Sequence, residues 1–165
     1  GADLAAAGLA LAGMPGLPGR GERRILPVAG GEALLIDESY NANPLSMAAT
    51  LKQLGREHAD RRIAVLGGMR ELGSASADLH AGLAKPLADG AIDFAVLVGA
   101  EMAPLADALE GTMAYAHVPD AASAIPLIEK EMRAGDAILV KGSNGIGLSR
   151  LVAALGQAAR DGETN

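Results

Sequence analysis

The sequence contains no cysteine and no tryptophan, and its rings are confined to Tyr40, Phe94 and Tyr115. Without cysteine there are no disulfides and no thiolate metal sites. Three scattered rings supply no stacking platform for single-stranded nucleic acid. Net charge is −6, and no basic cluster exceeds the pairs Arg23–Arg24 and Arg61–Arg62. Nucleic-acid binding wants a concentrated positive face, which is missing. No run approaches the ~18 apolar residues of a membrane span. The Ala/Leu-rich start lacks a basic leader and contains Asp3, so it reads as a helix rather than a signal peptide. There is no Gly-x-x-x-x-Gly-Lys-Ser/Thr phosphate loop and no Gly-x-Ser-x-Gly elbow. His58, His80 and His117 have no metal-ligand spacing, and each reads as a structural or surface residue. The carboxylates form no evident acid/base pair. The chain alone holds no complete catalytic apparatus.

What is present is an aliphatic α/β pattern. Half of the 165 residues are hydrophobic, enough for one sizeable core. Short apolar runs at residues 63–66, 94–98 and 138–140, with a weaker one at 114–118, suit buried parallel strands. Helical spacing occupies 45–54, 77–87, 102–109, 121–132 and 148–159. Pro44 and Pro104 suit first turns, and Asp120 suits an N-cap. Two further runs, 25–28 and 33–36, flank Gly30-Gly31, a hairpin signal. The expected fold is α/β: a Rossmann-like three-layer domain with a mostly parallel sheet, an antiparallel edge hairpin, and helices on both faces. Residues 1–14 read as a helix belonging to a preceding domain and 15–22 as a linker. Residues 23–160 read as the domain proper and 161–165 as a frayed polar tail. A soluble, cytoplasmic protein is expected.

Ligands bind past the carboxyl ends of strands in open parallel sheets, and three unusual segments fall there. The first runs Asp37-Glu38-Ser39-Tyr40-Asn41-Ala42-Asn43-Pro44. A carboxylate here can accept hydrogen bonds from ribose hydroxyls. Asp37 and Glu38 point to opposite faces of an extended segment, so one of them reaches a ligand. The other reading of this segment is an Asx-type turn and helix cap built from Asn43 and Ser39. The second segment is Gly67-Gly68-Met69-Arg70-Glu71-Leu72-Gly73. Its glycines admit close backbone approach, and Arg70 can grip a carboxylate or phosphate. The plain alternative is a tight turn with a solvated Arg70–Glu71 pair. The third is Lys141-Gly142-Ser143-Asn144-Gly145-Ile146-Gly147, a small-anion loop at a helix start or a purely structural one.

The string Ile36 to Pro44, followed by Ser46-Met47, resembles the start of the carboxy-terminal domain of the Mur ligase family. Two more segments agree in order. One is Ile63-Ala64-Val65-Leu66-Gly67 through Met69 to Glu71-Leu72-Gly73, with Leu79-His80 beyond it. The other is Val140-Lys141-Gly142-Ser143. The likeness is to the branch that adds D-alanyl-D-alanine to UDP-MurNAc-tripeptide, and it covers roughly residues 15–157. The resemblance implies an ATP- and Mg2+-dependent ligase in which the peptide carboxylate becomes an acyl phosphate that the dipeptide amine attacks. It implies that N-terminal and central domains hold UDP-sugar, ATP phosphates and magnesium, while this domain closes over them. By the same resemblance, Asp37 or Glu38 meets the ATP ribose, with Tyr40 and Arg20 near the nucleotide. Asn41 and Asn43 line the cleft, and Gly67, Met69, Arg70, Glu71, Ser143 and Asn144 line the dipeptide side. Two positions depart from the family pattern: Gly68 stands where many relatives have Asp, and Asn144 where many have Arg. The competing expectation is a self-standing Rossmann-like module that binds a nucleotide or small acid without chemistry.

Overall fold

The computed structural model describes residues 16–163, so the helix expected within residues 1–14 lies outside the described residues. Six strands form one sheet: β1 (Glu22–Val28), β2 (Gly31–Glu38), β3 (Arg61–Gly67), β4 (Phe94–Val98), β5 (Ala114–Val118) and β6 (Asp136–Lys141). Their spatial order is β1-β2-β6-β3-β4-β5. The β1–β2 pair is antiparallel, closed by a two-residue turn with Val28 opposite Gly31. Gly30 takes φ +86 in that turn, a region costly to residues bearing a Cβ. Every other pairing is parallel.

The helices are α1 (Pro44–Gly55), α2 (Ser76–Ala81), α3 (Ala84–Asp89), α4 (Ala103–Leu109), α5 (Ala121–Glu131) and α6 (Leu148–Glu163). Strand alternation sorts the core into two layers. Ala64, Leu66, Ala95, Leu97, Ala137 and Leu139 face one side, with Met47, Leu51 and Leu54 of α1, Leu87 of α3 and Leu105 of α4. Ile63, Val65, Val96, Val98, Ile138 and Val140 face the other, with Ile128 of α5 and Leu148, Leu151, Val152 and Leu155 of α6. The spacing i, i+3, i+4, i+7 in α6 is what puts those four side chains on one stripe. At ~1.5–3 kcal/mol per fully buried aliphatic side chain, these two layers are the dominant favourable term.

Two expectations are corrected. The helix read across 77–87 is two helices, α2 and α3, parted at Gly82-Leu83. Pro86 lacks the N–H that would bond the Gly82 carbonyl, and glycine is itself a poor helix former, so the break falls there. The last helix also runs past 159, through Glu163, so residues 161–163 of the expected tail are helical.

The amino ends of β3 and β6 are joined by charge. Arg61 donates from Nε and Nη2 to the two carboxylate oxygens of Asp136, at 2.9 and 2.8 Å, and Nη2 also reaches the Glu131 carbonyl. The Arg133 N–H donates to Asp136 at 2.8 Å, and Asp136 is only 3% exposed. Removing the buried Asp136 carboxylate strips Arg61 of its bidentate partner, leaving it the more distant Glu131 carboxylate at 3.7 Å, and takes the acceptor from the Arg133 N–H. Asp136→Ala is therefore expected to lower stability by about 3 kcal/mol, seen as a Tm roughly 6–12 °C lower in thermal unfolding.

Candidate functional site

Strands β2, β6 and β3 are neighbours, and their carboxyl ends are flush: Lys141 is opposite Glu38 on one side and Leu66 on the other. The three loops singled out above therefore lie along one rim. The chain leaves β2 for α1 on one face and β6 for α6 on the other. Adjacent loops part at such a point, which is where open α/β sheets take their ligands. The Lys141 ammonium donates to the Asn41 carbonyl at 2.9 Å, and the Ser143 N–H donates to the Gly68 carbonyl at 3.2 Å. Glycine is required at the crossing: a Cβ on Gly142 would lie 3.0 Å from the Gly67 Cα.

In the first loop the two acidic neighbours diverge as expected. Asp37 is 4% exposed. Its carboxylate accepts from the Gly19 N–H at 2.9 Å, the Ser39 N–H at 3.0 Å and the Ser39 hydroxyl at 2.6 Å. Asp37 thus holds the entering chain against β2, helped by Tyr40 N–H to Gly19 O and Gly21 N–H to Asp37 O. Glu38 faces an open pocket of about 200 Å³ shared with Arg20, Tyr40, Asn41 and Lys141. The Arg20 guanidinium stacks 4.0 Å from the centre of the Tyr40 ring. A neighbouring hollow of about 210 Å³ lies between Asp37, Tyr40, Asn144 and Ser149. A larger cavity, about 500 Å³, lies between α1 and β2 and is bordered by Glu38, Arg23, Arg56 and Glu57.

Asn43 caps α1: its side chain accepts from the Ser46 N–H at 2.8 Å, and the Ser46 hydroxyl accepts from the Asn43 N–H. The capping reading therefore holds for Asn43, whose side-chain oxygen is occupied, and not for Ser39, which serves Asp37. The Asn41 side-chain oxygen accepts from the Ala42 N–H at 2.8 Å.

In the second loop Gly67 is wedged against Ile146 and Leu148, each 3.0 Å from where a Cβ would stand. Beside Gly68, the space a side chain would enter is taken by Glu101, whose own Cβ lies 3.2 Å from that point. Met69 is buried, while Arg70 and Glu71 are exposed. No ion pair joins Arg70 to Glu71 among the described residues; the Arg70 guanidinium instead lies against Gly145 of the third loop. Ser143 is buried and Asn144 exposed. The amides of Ser143, Ile146 and Gly147 already donate to loop carbonyls, which removes them from an anion cradle.

Two groups take surroundings that the sequence reading does not assign to them. Lys141 is 3% exposed, and its sequence signal is a cation directly after the apolar run of residues 137–140. Burial pushes its ammonium below the ordinary lysine value, and Glu38 opposes that shift. Burial likewise pushes Glu38 up, against the pull of Lys141, and Asp37 adds to the rise. His80 is the second, fully buried beneath the Gly67–Gly73 loop. Among the described residues no group of three or more His, Asp or Glu side chains is gathered to hold a metal, and no helix is long and apolar enough to cross a membrane.

Comparison with known proteins gives a consistent family. The model described as "Mur ligase, glutamate ligase domain" matches residues 22–144. The UDP-N-acetylmuramoyl-tripeptide–D-alanyl-D-alanine ligase of Treponema pallidum is 33% identical over 164 residues, covering 91% of this chain and 36% of that protein. The Escherichia coli K12 enzyme of the same name is 32% identical over 156 residues, covering 94% of this chain and 33% of its own. The chain thus spans about a third of the length of these relatives. A crystal structure of MurF from Acinetobacter baumannii aligns with a TM-score of 0.70 at 30% identity, covering 94% of this chain and 33% of that one. MurF ligase from Thermotoga maritima, solved with ADP, aligns with a TM-score of 0.73 at 22% identity, over 93% and 34% of the two chains; at that identity it speaks for the fold.

The buried ammonium has a pH signature. Because the folded-state value of Lys141 is lowered, the unfolded chain holds this proton more tightly, and stability rises with pH toward the ordinary value of 10.5. Denaturant titrations across that alkaline range should show a component of this rise that vanishes in Lys141→Met; an identical pH slope in both proteins contradicts the assignment.

Proposed function

The chain belongs to the Mur ligase family through its glutamate ligase domain, and from that footing we propose that it serves an ATP-dependent ligase joining D-alanyl-D-alanine to UDP-N-acetylmuramoyl-tripeptide. The observation that carries this reading is the single rim on which a polar pocket bearing the Arg20–Tyr40 stack and an arginine-bearing loop pair stand side by side. The names borne by the Treponema and Escherichia relatives supply the substrate class.

The division of labour follows from the chemistry of each side chain. The Arg20–Tyr40 stack offers a planar surface to a purine base. Glu38, with its carboxylate toward the open pocket, accepts from ribose hydroxyls. Lys141 gives one N–H to Asn41 and keeps two donors for a ligand acceptor. Asp37 is assigned to the wall, not to the ligand, because both its oxygens are engaged. On the other side of the rim, Arg70 suits the carboxylate of the incoming dipeptide. The absence of side chains at Gly67 and Gly68 lets Ile146, Leu148 and Glu101 pack against the loop, and Gly67, Met69, Glu71, Ser143 and Asn144 are assigned to the dipeptide side of the rim. Asn41 and Asn43 border the cleft between the two halves.

The domain's role is orientation. Fixing the dipeptide amine against the acyl phosphate of the tripeptide converts an encounter into an intramolecular attack. Closing over it keeps out the water that would hydrolyse the acyl phosphate. Magnesium and the ATP phosphates belong, on this reading, to the central domain of the full ligase. The described residues gather no acidic cluster for a metal, and none of them is assigned to it. A cytoplasmic location goes with the same reading, since the nucleotide substrates are made and held there.

In the full ligase, Glu38→Ala should raise the apparent ATP constant roughly tenfold, as expected for a hydrogen bond to a charged group. Asp37→Ala should instead lower the Tm, through loss of about 2–3 kcal/mol from its unmade buried bonds. Steady-state kinetics beside thermal unfolding separate the two; an unchanged ATP constant in Glu38→Ala sinks the ribose assignment. The purified 165-residue chain should not turn over ATP, since it carries no phosphate loop. A phosphate-release assay above background would overturn the division of labour.

A further inference from the structure

His80 sits in α2, beneath the Gly67–Gly73 loop and fully out of solvent. Its Nε2 lies 2.9 Å from the Met69 backbone nitrogen, whose N–H can only donate, so Nε2 is the acceptor. Its Nδ1 lies 2.7 Å from the Ser76 carbonyl, which can only accept, so Nδ1 carries the proton. One neutral tautomer alone satisfies both ends. A second ring proton would face the Met69 N–H and break the contact.

This bond anchors the loop where its strain begins. Met69 is fixed twice, by a side chain 3% exposed in the core and by its amide on the ring. Two residues on, Glu71 takes φ +60, a left-handed conformation unusual for a residue with a side chain. Such a backbone persists only where its surroundings over-determine it. Between anchor and strain stands Arg70, whose Nη2 lies 2.7 Å from where a Cβ on Gly145 would be. We propose that His80 is a positioning residue: through the Met69 amide it sets the Gly67–Gly73 loop so that Arg70 is delivered to the Gly145 loop. The inference rests on the reading that this loop pair receives the carboxylate of the acceptor dipeptide. His80 itself touches no substrate.

The test pairs His80→Ala, which removes the acceptor, with His80→Gln, whose amide oxygen takes the place of Nε2. In the 165-residue chain, nitrogen-15 NMR should show His80 neutral with the proton on Nδ1. His80→Ala should displace the Met69 and Arg70 amides and speed Met69 hydrogen exchange roughly tenfold or more, and His80→Gln should restore most of both. In the full ligase, His80→Ala should raise KM for D-alanyl-D-alanine roughly ten- to a hundredfold while leaving the ATP constant in place, again with recovery in His80→Gln. The proposal is overturned if the ring is protonated on Nε2, if Gln is as impaired as Ala, or if the ATP and dipeptide constants deteriorate together. Where His80→Ala does not fold, the ring tautomer and the Gln variant decide. An unsubstituted ligase that makes no use of the dipeptide defeats the acceptor reading, a result distinct from failure of the Met69 amide to respond.

Discussion

The site depends on one buried cation at the end of one strand. Lys141 closes β6, the strand flanked by β2 and β3, and its ammonium is spent partly on the Asn41 carbonyl. A charge placed there is disfavoured by burial and is tolerated because Glu38 stands across the pocket and a carbonyl meets it directly. Replaced by an apolar residue, this position would continue the strand's core run unbroken. Its polarity is thus not called for by folding, which marks the rim as the place where the chain departs from the pattern that stability favours.

The two ends of the sheet divide stability from chemistry. At the amino end, Arg61, Asp136, Glu131 and Arg133 form a satisfied network that ties β3 to β6 and offers little to a ligand. At the carboxyl end the polar groups face pockets, the glycines admit neighbouring loops to van der Waals contact, and the strained backbone of Glu71 is found. The aliphatic layers between them make the sheet rigid enough that loops ten or more residues apart in sequence hold a common register.

Much of this was legible in the sequence, for identifiable reasons. Apolar runs of three to five residues between helical stretches forced a parallel sheet, and Gly30-Gly31 forced the hairpin. The three polar loops declared themselves because they interrupt apolar strands at one end only. What stayed hidden depends on contacts between residues distant in the chain. Asp37 and Glu38 are equivalent on paper; only the return of Gly19 across β2 commits one of them to the backbone. His80 looks like any helical histidine until the fold places the Met69 amide over its ring. The break at Gly82-Leu83 was the exception, since Pro86 announces a missing donor that a count of apolar positions passes over.

Gly19 and Arg20 have a double membership. They belong to the turn by which the chain enters the sheet, and they also form one wall of the pocket opposite Lys141. Direction of entry and shape of that wall are therefore a single variable. Whatever fills the pocket and favours Arg20 stacked on Tyr40 also favours one heading of the backbone at Leu17. Thermodynamic reciprocity then requires that a heading imposed from outside alter the pocket's affinity by the same factor.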